Sequence, residues 1–136
     1  ADWKVVDNPP NVSFGFRFES SNITYGSSGA PESGTAIGVE SSSEGIVVAG
    51  TKARDWVEHN FIAPYTVLDE ILVDNNSTIL VAYDAGLAGP AVGARVVVGT
   101  QIYSFDCFYP ANEGNSGKDQ CRQVLKLLLG TVTFLQ

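Results

Sequence analysis

Between residues 12 and 19 the chain alternates: Phe14, Phe16 and Phe18 fall on one side, and Ser13, Gly15, Arg17 and Glu19 on the other. Period 2 predicts a strand with one face buried. Further short strands are expected at 35–40 and at 45–50, where GIVVAG is an apolar run bounded by glycines that fits a central strand. The period then changes. Ala53, Trp56, Val57 and Phe61 fall at i, i+3, i+4 and i+8, which predicts a helix with Thr51 as its cap and Pro64 as its stop. Strands follow at 67–73 and 78–84, joined by the polar turn Asp74-Asn75-Asn76-Ser77, whose Asn residues tolerate left-handed backbone. AGLAGPAVG reads as a Gly/Ala/Pro connection. A second strand pair runs from 92 to 108 and turns about Gly99-Thr100. Last comes the clearest amphipathic pattern. Cys121, Val124, Leu125, Leu128, Leu129 and Val132 repeat at helical spacing, while Lys118, Gln120, Arg122, Gln123 and Lys126 fill the other face.

Hairpin-linked strands imply antiparallel pairing, and each helix has one apolar stripe to bury. The expected fold class is therefore α+β: a mostly antiparallel central sheet of about six to seven strands with two helices packed on it, in one domain covering residues 1–136. The Ser/Gly-rich stretch 20–43 reads as a long excursion broken only by the strand at 35–40.

Composition narrows the function. With 44% hydrophobic and 17% charged residues the chain is globular rather than disordered. A net charge of -7 disfavours nucleic acid and anionic lipid as main partners. No apolar run approaches the roughly 18 residues of a membrane helix. Ala1 is what cleavage after a small-residue signal site leaves, and also what trimming leaves. Asn11, Asn22, Asn75 and Asn76 match the glycosylation acceptor pattern, which chance also produces in a Ser/Asn-rich chain.

Both cysteines lie in YSFDCFYPANEGNSGKDQC. Cys107 ends an alternating run, and Cys121 opens the last amphipathic one. Two thiolates and a single His, His59, are too few for a zinc site, and no C-x-x-C occurs. The leading reading is a disulfide between the last strand and the last helix, which implies an extracytoplasmic location: secreted, periplasmic or cell-surface. Two buried free thiols, or a functional thiol partnered by His59, are the alternatives.

Other candidates carry a bland reading beside the functional one. Asp55, Glu58 and His59 share a helix face, as a metal or acid/base cluster or as a solvated surface. Asp74 to Ser77 is oxygen-rich but lacks the Gly and terminal Glu of a calcium loop. The segment 110–118 offers Tyr109, Asn112, Glu113 and Asn115 as a candidate binding loop, or as a surface loop held by the disulfide. Among the aromatics, Trp56 reads as core, whereas Tyr65 and Tyr109 are expected to be exposed. No G-x-S-x-G, G-x-G-x-x-G or Walker pattern occurs, so neither catalytic triad nor cofactor is expected.

The two ends of the chain, WKVVDNPPNVSFGFRF and VLKLLLGTVTFLQ, resemble the PsbP-like proteins: photosystem oxygen-evolving-complex subunit P and its bacterial relatives. The resemblance covers both ends, and the middle only as element order. Glu19-Ser20 stands where the family has Tyr-Pro, and the Ser/Gly-rich excursion is unusual for it. These are packing motifs, so no functional residue carries over. The resemblance implies an exported α/β/α sandwich that acts as a non-enzymatic accessory or binding domain, with a protein or cell-envelope partner. A surface structural subunit of pilin-like type is the alternative, and a small secreted enzyme resting on Asp55, Glu58 and His59 comes third.

Overall fold

Alternation along the strands sends side chains to two faces of one sheet, and a different helix covers each face. The structure, a computed structural model, describes residues 3–6, 15–42, 48, 50–61 and 64–134. Its elements are β1 (Trp3–Val6), β2 (Gly15–Ser20), β3 (Thr24–Tyr25), β4 (Pro31–Ser33), β5 (Ala36–Ser42), α1 (Ala53–Asn60), β6 (Tyr65–Val73), β7 (Asn76–Asp84), β8 (Pro90–Val98), β9 (Gln101–Phe108) and α2 (Gly114–Leu129). Seven strands form one sheet in the order β1-β2-β5-β9-β8-β7-β6, and every neighbouring pair is antiparallel. The short β3 and β4 form a sheet of their own. The fold is α+β, as the pattern predicts.

Register explains the two layers. Phe16, Val39, Phe105, Ala94 and Leu80 lie side by side across five strands. They face α2, whose Cys121, Leu125 and Leu129 are fully buried against them at i, i+4, i+8. One residue further along lies the row Arg17, Gly38, Asp106, Gly93 and Val81, on the opposite face. There α1 buries Val57 against Ile79 and Val81, with Trp56, Phe61, Tyr65 and Tyr83 around them. The two helices thus sandwich the sheet.

Cys107 on β9 and Cys121 on α2 are joined by a disulfide, with Cα atoms 5.6 Å apart and both residues fully buried. The bond staples the sheet to α2 at the start of its apolar stripe. Tyr109, just beyond, packs closely against the helix: a Cβ added at Gly117 would come within 2.6 Å of its ring. Only glycine at that position allows the close approach, and this is why Tyr109 is buried rather than exposed.

The edge strand β6 carries a bulge. Val67 pairs with Val81 but Asp69 pairs with Leu80, so Leu68 is an extra residue. Leu68 packs into the α2-side core. Asp69 turns to the same side and takes a bidentate contact from Arg122 of α2, with Nε–Oδ2 at 2.6 Å and Nη2–Oδ1 at 2.9 Å. On the other side Glu70 pairs with Arg54 of α1.

Several boundaries depart from expectation. The strand expected at 45–50 falls mostly outside the described residues; Val48 is exposed and in no strand, and Gly50 is in a turn. Lys52, not Thr51, precedes α1; the Thr51 hydroxyl is used in a turn, donating to the Val48 carbonyl at 2.7 Å. The β6–β7 turn is only Asp74-Asn75, at φ 47° and 66°, the mirror-image turn that suits a two-residue hairpin. The β8 strand starts at Pro90, whose missing N–H is tolerated at a strand's first residue. The predicted loop 110–118 is instead a 3-10 turn, Ala111–Glu113, running into α2.

Candidate functional site

The α1 face of the sheet carries a buried ion pair, Arg95 with Asp106. Asp106, on β9, is 7% exposed and lies between Gly38 and Gly93 in the register. A Cβ on Gly93 would run into its carboxylate, so the glycine makes the space that Asp106 occupies. One carboxylate oxygen, Oδ1, accepts from the Tyr83 hydroxyl at 2.6 Å and from Arg95 Nη1 at 2.9 Å. Arg95 Nη1 also donates to the Ala94 carbonyl at 3.2 Å. The guanidinium lies 5.2 Å from the centroid of Phe61 and 6.0 Å from that of Tyr83. Phe61 meets Tyr83 and Tyr65 edge-on, with centroids 5.0 Å and 5.6 Å apart.

Electrostatics follow from this packing. Burial pushes the Tyr83 phenol well above its ordinary pKa, and the Asp106 charge pushes it further. Burial works against the Arg95 charge, but the Asp106 carboxylate and the Tyr83 phenol together outweigh it and hold the guanidinium protonated.

Above this cluster opens a cleft of about 470 Å³. Trp56, Asn60 and Phe61 of the α1 end form one wall, Tyr83, Asp84 and Ala85 of the β7 end form the other, and Arg95 lies at the base. Its volume falls in the range of about 300–1,000 Å³ of small-molecule pockets, and apolar walls with a few convergent polar groups are usual for them.

A second polar cluster lies on β2. Glu19 is 7% exposed, accepts from the Tyr25 hydroxyl, and has Lys4 Nζ at 3.7 Å and Arg17 Nη1 at 4.0 Å. The β3–β4 hairpin carries Tyr25 to it. Burial, then the hydrogen bond to Glu19, raises the Tyr25 phenol to about 12. A raised folded pKa means the neutral phenol is the form that folding favours. Its contribution to stability is complete below the unfolded pKa of about 10 and fades as pH rises through the folded value. A phenolate absorbance titration is expected to show late steps above the ordinary phenol range, with Tyr25→Phe removing one of them. All five tyrosines ionising together near the ordinary value would contradict it.

The sequence-predicted candidates fall elsewhere. Asp55, Glu58 and His59 are exposed on α1; His59 Nδ1 lies 2.7 Å from the Asp55 backbone carbonyl, not from its carboxylate. Among the described residues no three His, Cys, Asp or Glu side chains are placed to hold a metal ion. Tyr109 is buried, Asn112 and Glu113 lie in the 3-10 turn, and Asn115 is exposed in the first turn of α2. Asn112 lines a hollow of about 420 Å³ with Pro31, Glu32, Pro110 and Ala111. Tyr65 is half-buried against Phe61, and Trp56, read as core, lines the cleft. The sequence did hold a signal for the cluster: Asp106 and Arg95 are single charges inside the apolar runs SFDCF and ARVVV.

No known protein family, curated protein or solved structure matches the chain.

Proposed function

We propose that the chain is an extracytoplasmic, non-enzymatic binding domain of PsbP-like type, whose ligand seat is the cleft between α1 and the β7–β8 strands. The observation that carries this reading is the partly aromatic cleft over a floor whose charges are paired with each other. Asp106, Tyr83 and Arg95 are engaged with one another, an arrangement that shapes a surface rather than leaving a base or nucleophile poised for transfer. The buried disulfide supports the extracytoplasmic part, since such bonds persist in oxidising compartments. The framework pattern at both ends, together with an antiparallel sheet sandwiched by two helices, supports the PsbP-like part.

A small-fragment screen read by amide and side-chain NMR tests the reading. Saturable shifts are expected to concentrate on Trp56, Asn60, Phe61 and Tyr83. Fragments that gather on other surfaces, or a hydrolase activity lost in His59→Ala, would overturn it.

A further inference from the structure

The lining of the cleft restricts what it can hold. Its one cation, Arg95, is neutralised by Asp106, and Asp84 at the mouth adds a negative charge. With a net charge of -7 on the whole chain, an anionic ligand meets repulsion and no spare cation. A cationic ligand finds the faces of Phe61 and Tyr83 already covered by Arg95, which leaves Trp56 as the one free ring of the lining. A wholly apolar ligand would cover polar groups without pairing them. Among the described residues every hydrogen bond of the Arg95 guanidinium leaves from Nη1, which leaves Nε and Nη2 to be met. Asn60 donates through Nδ2 to the Trp56 carbonyl, leaving its amide oxygen, and Asp84 receives the Gly86 N–H on Oδ1, leaving Oδ2. Covering such groups unpaired is costly.

What remains is a neutral ligand with one apolar face and a rim of hydroxyls that both donate and accept. We propose that the cleft is a site for a neutral carbohydrate, which rests on the cleft being the binding seat. The C–H face of a sugar ring stacks on Trp56. Its hydroxyls donate to Asn60 Oδ1 and Asp84 Oδ2 and accept from the free edge of Arg95. The guanidinium, tied to Asp106 through Nη1 and packed over the Phe61 ring, is positioned before the ligand arrives, which lowers the ordering cost of binding.

The test is titration of ¹⁵N-labelled protein with cellobiose, maltose and N,N′-diacetylchitobiose, beside a uronic-acid disaccharide and indole as an apolar probe. At least one neutral disaccharide is expected to shift the Trp56 indole, Asn60 amide and Arg95 Nε–H signals saturably, and to bind at least ten-fold more tightly than the uronic-acid analogue. Asn60→Ala and Asp84→Asn, at exposed positions that the core does not need, are both expected to weaken it, Asn60→Ala by about 2- to 10-fold, the range of one neutral hydrogen bond, and Asp84→Asn by about 10-fold or more, since a charged acceptor is lost. If indole shifts these signals and no neutral saccharide does, the carbohydrate class is wrong and the cleft stands. If no probe shifts them, the cleft reading falls too. Tighter binding of the uronic acid would overturn the charge argument.

Discussion

Replacing Asp106 by Ala is expected to destabilise the fold by about 3–5 kcal/mol, the usual cost of stranding one partner of a buried ion pair. The Arg95 side chain is only 12% exposed and has no second carboxylate within salt-bridge distance among the described residues. Without Asp106 its charge stays in a poorly solvated site that burial already opposes. The Tyr83 hydroxyl loses its acceptor at the same stroke. Urea unfolding gives the loss from the shift in midpoint at constant slope. The double variant Asp106→Ala/Arg95→Met decides the cause. It removes the stranded charge, so it is expected to be no less stable than Asp106→Ala alone, although it deletes more atoms. A loss under about 1 kcal/mol for the single change would mean that water enters and the pair is not a buried one.

The disulfide gives the second large effect. Cys107→Ala/Cys121→Ala releases a loop of about 15 residues in the unfolded chain, worth about 3 kcal/mol by loop entropy. For a chain of this size that lowers the melting temperature by roughly 10 °C. Both sulfurs are sealed from solvent. A thiol reductant is therefore expected to act only as fast as the β9–α2 contact opens, and alkylation to label two thiols only after reduction in denaturant. Intact mass before and after alkylation reads this directly. If both cysteines alkylate in the native, unreduced protein, the staple and the compartment argument built on it fail together.

Elements whose period exceeds local noise were legible in the sequence. The α2 stripe, Phe16 and Phe18 on one face of β2, and the hairpin about Gly99-Thr100 lie where the spacing places them, while Phe14 falls outside the described residues. The short pieces were not. The two and three residues of β3 and β4 carry no period, and the four of β1 scarcely do. The bulge at Leu68 was hidden for a different reason: both Leu68 and Asp69 point toward α2, which breaks the alternation that a sequence reading relies on. The candidate site was missed because it is built by register. Tyr83, Arg95 and Asp106 come from three strands, and only the pairing of β7 with β8 and β8 with β9 brings them together. Trp56 sits on the apolar stripe of α1 and reads as core; that it borders a cleft depends on where β7 ends.

The bulged strand β6 has a consequence for how molecules of this protein meet each other. A long sheet ends in a row of unpaired N–H and C=O groups, onto which a second chain can add and start a fibre. Here the long edge is kinked at Leu68 and bears Asp69 and Glu70, each engaged by an arginine from a different helix. An incoming strand would meet a broken ladder and charged side chains that are already committed. At the other edge, β1 is four residues long and displays Lys4. Both margins of the sheet are thus blunted against edge-to-edge growth, a protection suited to a chain whose core strands are rich in valine and isoleucine.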